Sequence, residues 1–208
     1  QFNFTIGSNY FFEISKIRAF RYLYNLILKN YNTTAVAQIF AEPTRRNKTL
    51  FDYNVNLLRT TTESMSAILG GANTISNLTY DAIYHKSNEF GSRISRNQLL
   101  ILKEESYFIN AQNIATDSYY IEAITKQISE KALNIFKEIE ASGGFLKQLN
   151  EGTIQRKIVE NAKKEQTQFD NGELVLLGTN KYPNELDKMK NDLELNPFLE
   201  KKSNKTLI

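Results

Sequence analysis

The chain has 208 residues and a net charge of +3, with 26 Lys and Arg against 23 Asp and Glu. This balance is too mild to indicate nucleic acid as the main partner. A hydrophobic content of 41% provides for a buried core, and the absence of Cys excludes disulfides and thiolate metal sites. No apolar run approaches the ~18 residues of a membrane helix, so we expect a cytoplasmic protein without membrane contact.

Short apolar segments alternate with long helical patterns in the first part of the chain. Such segments, bounded by polar turns, are typical of buried strands. Three strands are predicted: Phe2 to Ile6, Ala37 to Ala41 and Thr74 to Leu78. Because the chain begins without Met and with a strand already under way, we expect it to be a piece of a longer polypeptide.

Two helices are predicted between these strands. Ser8 is expected to cap the first helix. Its apolar face is predicted to carry Ile17, Phe20, Tyr24 and Ile27. The second helix is expected to begin at an acidic cap, Asp52, and to end at Gly70-Gly71. Its buried side is predicted to carry Leu58, Met65, Ile68 and Leu69.

The order strand, helix, strand, helix, strand predicts parallel strands joined by helical crossovers. Three such units belong either to an eight-stranded (β/α)8 TIM barrel or to an open sheet. The glycine fingerprint of the open dinucleotide-binding sheet is absent, which favours the barrel. We therefore predict an α/β fold.

The second part of the chain is predicted to be helical. An isoleucine stripe, expected to be core or interface, ends at Gly143-Gly144, and a later helix ends near Asp170. The isoleucine stripe consists of Ile121, Ile124, Ile128, Ile135 and Ile139. One more short strand is possible at Leu174 to Leu177, and the Lys-rich end from Pro183 is expected to be an extended strap or a mobile tail.

Polar residues follow each predicted strand, where a barrel places its active site. The candidates for ligand-facing positions are Ser8, Glu42, Arg45, Arg46, Asn47, Tyr80 and Asp81. Two Arg beside a Glu can hold a phosphate or carboxylate, while a solvated loop or a subunit contact fits equally well. His85 is the single imidazole and lacks a second His, so we predict neither a metal site nor a catalytic base there.

Several segments resemble the methylmalonyl-CoA mutase family in their order along the chain, over roughly residues 2 to 160. They are Gly7 to Arg21, Asp52 to Ala72, Ser92 to Asn97, Lys103 to Ser106, Ser118 to Glu122 and Gly143 to Phe145. The resemblance implies the last three strand-helix units of a TIM (β/α)8 barrel in residues 1–110. It further implies a helical linker region in 111–180 and an extended tail in 181–208.

Departures from the family pattern indicate which kind of chain this is. The catalytic large chain of the family carries His and Gln where this chain has Phe40 and Glu42, and Arg45 and Arg46 replace residues that face the corrin. The cobalt-binding Asp-x-His-x-x-Gly motif is absent from the sequence. The resemblance therefore implies the small, non-catalytic subunit of a heterodimer, without catalytic residues of its own. Adenosylcobalamin would be bound in the holoenzyme but not by this chain, and a large catalytic subunit would be the partner.

Two other interpretations remain open at this point. The chain could be a fragment of a catalytic acyl-CoA mutase whose active-site residues lie upstream of Gln1. Alternatively, it could be an unrelated barrel enzyme with a site at Glu42, Arg45 and Asp81.

Overall fold

A small parallel sheet organises the first part of the chain in the computed structural model, which describes residues 1–111, 113–187 and 193–195. Its strands are β1 (Phe2–Ile6), β2 (Ile39–Pro43) and β3 (Thr74–Ile75), in the order β1-β2-β3. The prediction for β1 is confirmed, whereas β2 lies two residues later than predicted. β3 is shorter than predicted. Near its predicted end, the Leu78 amide donates a hydrogen bond to the Asn77 side chain instead of to a neighbouring strand.

Six α-helices surround or follow this sheet in the described residues. They are α1 (Tyr10–Asn30), α2 (Val55–Gly70), α3 (Glu89–Leu100), α4 (Tyr119–Ala141), α5 (Phe145–Asn150) and α6 (Thr153–Asp170). A π-helical turn, Ile101–Glu105, and a 3-10 turn, Phe108–Asn110, separate α3 from α4. No helix among these residues is long and apolar enough to cross a membrane.

The hydrophobic core lies between one face of the sheet and the two crossover helices. Ile6 and Ile39 are buried against Ile17 of α1 and Ala67 of α2. The opposite face of the sheet is largely open, since Asn3, Thr5 and Glu42 are exposed on it. Both crossover helices therefore cover the same face, and the part described is an α/β layer with a parallel three-stranded sheet.

The starts of α1 and α2 differ from the prediction. Asn9, not Ser8, caps α1, and its side chain accepts a hydrogen bond from the Phe12 amide. α2 begins at Val55 rather than at an acidic cap, because Asp52 has a positive φ of 45° and lies in the preceding loop. The predicted end is confirmed: Gly71 takes the left-handed conformation, with φ of 85°, directly after Gly70.

The buried side of α2 was predicted correctly only in part: Leu69 packs against the buried Ile14, Ala115 and Ile121, and Met65 and Ile68 are half-buried. Leu58 is 67% exposed, whereas the buried residues of this helix are mainly small or polar. They are Asn56, Thr60, Glu63, Ser64, Ser66, Ala67 and Gly70. Small side chains let α2 approach α1 closely: a Cβ added at Gly70 would lie 3.1 Å from the Ile17 side chain. The polar ones meet the loops at the carboxyl ends of the strands.

The predicted helix ends near Gly143 and Asp170 are confirmed, but the fourth strand is not. α6 ends at Asp170, as expected, although it buries no side chain. Leu174 to Leu177 forms no strand, because its amides bind other partners: the Leu174 amide donates to the Gln168 carbonyl and the Leu176 amide to the Asn180 side chain. The predicted tail lies largely outside the described residues, which include 181–187 and 193–195.

α4 packs along α1 through its first half only. The Ser15 hydroxyl lies 3.4 Å from the Ile121 carbonyl, and Arg18 forms an ion pair with Glu122. Ile121 is buried with 8% exposure, whereas Ile135 on the same stripe is 49% exposed. The isoleucine stripe is therefore core at Ile121 and Ile124, half-buried at Ile128 and Ile139, and exposed at Ile135.

Candidate functional site

Three of the predicted ligand-facing residues line one groove at the carboxyl ends of the strands. Ser8, Arg46 and Asn47 belong to its walls, and the groove has a volume of about 920 Å³. Its far wall is formed by α6 and by residues 174–177. Arg46 reaches across and forms an ion pair with Glu165 of α6. This ion pair within the chain therefore connects the two walls of the groove.

The other four candidates do not join this groove. Glu42 and Arg45 are exposed and are not among the residues that line it. Tyr80 and Asp81 lie after β3, where Asp81 is buried and accepts a hydrogen bond of 2.7 Å from the Asn88 side chain. Glu42 and Arg45 are exposed whereas Asp81 is buried, so these three residues do not line one enclosed pocket.

His85 lies beside this buried carboxylate. Its Nδ1 is 3.4 Å from Oδ2 of Asp81, and its ring is tilted against that of Tyr84 at a centroid distance of 4.5 Å. Asn88, which binds the same Asp81, also caps α3 by accepting from the Gly91 amide. Asp81 therefore orders the turn that leads into α3. Within the described part of the chain, no group of three His, Asp or Glu side chains is placed to hold a metal ion.

A buried ion pair lies beneath the groove. Nζ of Lys48 is 2.8 Å from Oε2 and 3.0 Å from Oε1 of Glu63, and each side chain is only 1% exposed. Asn47 adds a hydrogen bond of 2.6 Å to Oε1. Burial raises the pKa of Glu63 while the nearby Lys48 opposes this rise, and burial lowers the pKa of Lys48. Each charge therefore depends on the other for its place in the interior.

Asn56 joins three parts of the chain at the same edge. Its amide nitrogen donates to the carbonyls of Thr49 and Tyr80, each at 2.9 Å, and its oxygen accepts from the Thr49 amide at 3.0 Å. Arg59 donates to the same oxygen at 2.8 Å and to the Leu177 carbonyl at 2.8 Å. The loop after β2, the loop after β3 and residue 177 are thus held together from the first turns of α2.

A strap, defined here as residues 174–187 and 193–195, crosses this edge. Asp187 accepts a hydrogen bond from the Asp52 amide in the loop after β2. Glu194 accepts from the Lys86 amide at 2.7 Å, in the loop after β3. Together with Arg59 and Leu177, these contacts tie the strap to both loops. The carboxyl edge, where a barrel would bind its ligand, is occupied by this chain's own residues.

Sequence reasoning missed the residues that organise this edge: Lys48, Asn56, Arg59 and Glu63. A signal for Asn56 and Glu63 was present, because Asn56, Thr60, Glu63 and Ala67 recur at the spacing of one helical face. The apolar residues Leu58, Met65, Ile68 and Leu69 form a competing pattern along the same helix. A larger cavity than this groove, about 1140 Å³, lies between α1, α4 and the end of α2, and no candidate residue lines it.

Chemically, this edge offers paired charges rather than a free acid, base or nucleophile. Arg46 and Lys48 each face a carboxylate of the same chain, and Arg59 is held by Asn56, Thr49 and Leu177. The arrangement is suited to holding two loops and the strap in a fixed geometry. Arg59 lines the groove and burial lowers its pKa, but its guanidinium is engaged by these hydrogen bonds.

Comparison with known proteins agrees with the resemblance in the sequence. A family model described as methylmalonyl-CoA mutase matches residues 1–207. The methylmalonyl-CoA mutase small subunit of Porphyromonas gingivalis is 43% identical over 190 residues, which cover 88% of this chain and 31% of that protein. The large subunit of the same organism is 31% identical over 185 residues, covering 87% and 26% of the two chains. The methylmalonyl-CoA mutase of Rhizobium meliloti is 34% identical over 186 residues, covering 87% and 26%.

Proposed function

Because this chain belongs to the methylmalonyl-CoA mutase family, we propose that it is part of the small, non-catalytic subunit of a heterodimeric mutase. The chain spans about a third or less of the length of the relatives it matches. The holoenzyme would interconvert methylmalonyl-CoA and succinyl-CoA with adenosylcobalamin, and a large catalytic chain would be the partner. The observation that carries the proposal is that strap and loops fill the carboxyl edge with internal contacts.

The residues at this edge do not fit a corrin ring. Arg46 and Glu165 join across the groove, and Lys48 with Glu63 occupies the interior beneath it. A flat macrocycle placed against the strand ends would break the exposed ion pair between Arg46 and Glu165. It would also displace the strap from Arg59. We therefore propose that the cofactor is bound by the large chain and not by this one. The role of this chain would be to support the catalytic chain.

The architecture that goes with this role is a TIM barrel in the complete polypeptide. The covering of one sheet face by α1 and α2 supports it, because a barrel carries its helices on the outside only. We propose residues 1–110 as the end of that barrel, 111–180 as a helical linker region and 181–208 as a tail. The outer edges of β1 and β3 would pair with strands supplied by the rest of the barrel.

The test is co-expression of the full-length protein with its large chain. We expect a stable complex with corrin absorbance, and we expect the full-length small chain alone to show neither corrin absorbance nor turnover of methylmalonyl-CoA. Turnover by the isolated small chain, together with the absence of any complex, would contradict the proposal.

The alternative is a fragment of a catalytic mutase chain with its active-site residues upstream of Gln1. Its support is the 34% identity to the methylmalonyl-CoA mutase of Rhizobium meliloti, whose name specifies no subunit. It predicts corrin absorbance and a substrate-dependent radical signal in the full-length protein without a second chain. An unrelated barrel enzyme is excluded by family membership.

A further inference from the structure

Exposed aromatic side chains form a patch where α1 and α4 begin. This aromatic patch consists of Phe11 and Phe12 of α1 and Tyr119 and Tyr120 of α4. The rings of Phe11 and Tyr120 meet edge to face at a centroid distance of 5.3 Å, which joins the two helices into one surface. Tyr119 is 96% exposed, and the other three are between 45% and 57% exposed. Isolated exposed aromatic residues are common, whereas a contiguous group of them is typical of an interaction site.

The segment that leads into this patch is nearly free of charge. Residues 106–121 contain one charged residue, Asp117, although charged residues make up 24% of the chain. Within this segment Ile114 is also exposed. Depletion of charge together with enrichment in aromatic residues distinguishes the centre of a protein interface from the rest of a protein surface. The composition therefore indicates a protein partner rather than a charged ligand.

The area of the aromatic patch suits one half of a stable protein interface. With about 200 Å² for each whole side chain, the exposed fractions leave roughly 500 Å² of the patch accessible. Each partner in a standard interface buries about 800 Å², of which about 60% is non-polar. The patch alone thus supplies the non-polar share of such an interface, so a folded protein fits it better than a small molecule.

The rest of the proposed barrel would lie on the other side of α1. The preceding strand would pair with the free edge of β1, where Phe2 and Phe4 meet the ring of Phe20 at centroid distances of 4.7 Å and 5.0 Å. Phe11 precedes Phe20 by about two and a half helical turns, which places the two on opposite sides of α1. A helix added beyond β1 would therefore cover Phe20 and leave the aromatic patch open.

We propose that the aromatic patch is the surface on which this chain binds its large catalytic chain. The inference rests on the proposed function, because the heterodimer supplies the partner. Tyr119 is the expected anchor, since nearly all of its side chain is available to the partner. A tyrosine brings a large apolar ring and a hydroxyl donor into an interface, and such residues contribute much of the binding energy.

The test measures the dissociation constant between the full-length small chain and its large chain by titration calorimetry. Tyr119→Ala should weaken the complex by about tenfold or more, because it removes the anchor. It should leave thermal unfolding of the small chain unchanged, since the ring is 96% exposed. The matched control is Tyr31→Ala, which removes another exposed tyrosine at the opposite end of α1, about 30 Å from Phe11. This control should leave the dissociation constant unchanged.

Hydroxyl-radical footprinting of the full-length small chain, free and in the complex, identifies what covers the patch. We expect Tyr119 and Tyr120 to be oxidised in the free chain and protected in the complex, with Tyr31 oxidised equally in both. Protection in the free chain would overturn the inference: light scattering would assign the cover to the rest of the chain in a monomer and to a second copy in a dimer.

The inference and the proposed function fail in different ways. A complex whose dissociation constant is the same with Tyr119→Ala would overturn the inference and leave the proposed function intact. Failure of the unaltered small chain to bind any large chain would contradict the proposed function and, with it, the inference.

Discussion

Replacing Lys48 by Met is expected to destabilise the folded chain by about 3–5 kcal/mol, because it leaves the Glu63 carboxylate buried without its cation. The ion contact of 2.8 Å corresponds to roughly 6 kcal/mol of gross Coulomb attraction at an effective dielectric constant of about 20. Among the described contacts, Asn47 would still donate one hydrogen bond to the carboxylate, and the nearby charge of Arg59 would offset part of the loss.

The double variant Lys48→Met/Glu63→Met separates the lost attraction from the stranded charge. Since it removes both ions and keeps the volume, we expect it to be at least about 2 kcal/mol more stable than Lys48→Met. The measurement is urea unfolding of the full-length chain, followed by circular dichroism. Lys103→Met is the control, because its contact with Glu104 is 2.9 Å long but the side chains are 54% and 62% exposed.

We expect that control to change the free energy of unfolding by no more than about 0.5 kcal/mol. The reasoning would be refuted by a Lys48→Met loss below about 1 kcal/mol. It would equally be refuted by a double variant as unstable as the sum of its two single variants.

Three further predictions concern the charge of Glu63, the hydrogen bonds of Asn56 and the contact of Gly70 with α1. In Lys48→Met the folded-state pKa of Glu63 stays above its unfolded value, so stability is retained below the unfolded pKa and lost as pH rises through the folded one. Unfolding at pH 5 and pH 7.5 should therefore show the larger loss at pH 7.5, and an equal loss would count against a buried ionised carboxylate. Asn56→Ala should cost at least about 2 kcal/mol in urea unfolding by leaving two carbonyls and an amide unsatisfied, whereas exposed Asn54→Ala should stay within about 0.5 kcal/mol. Gly70→Ala should cost about 1–3 kcal/mol in thermal or urea unfolding, because its methyl group would press against α1, and a neutral result would mean that the two helices can separate freely.

Local signals in the sequence determined the elements of the fold. The apolar run before Gly7 predicts β1 with its correct bounds, and Gly70-Gly71 predicts the end of α2, because a left-handed residue there favours Gly. The family also follows from the sequence alone, since its motifs occur in order along the chain. These features depend on neighbouring residues and backbone conformation, which are local properties.

The tertiary structure decided which partners meet the polar residues of α2 and what occupies the carboxyl edge. Glutamate side chains are usually exposed. Glu63 is buried because Lys48, from the loop before the helix, forms an ion pair with it. Arg59 is likewise held by Leu177, 118 residues further along the chain. Such pairings depend on distant segments meeting, and no pattern within a single helix encodes them.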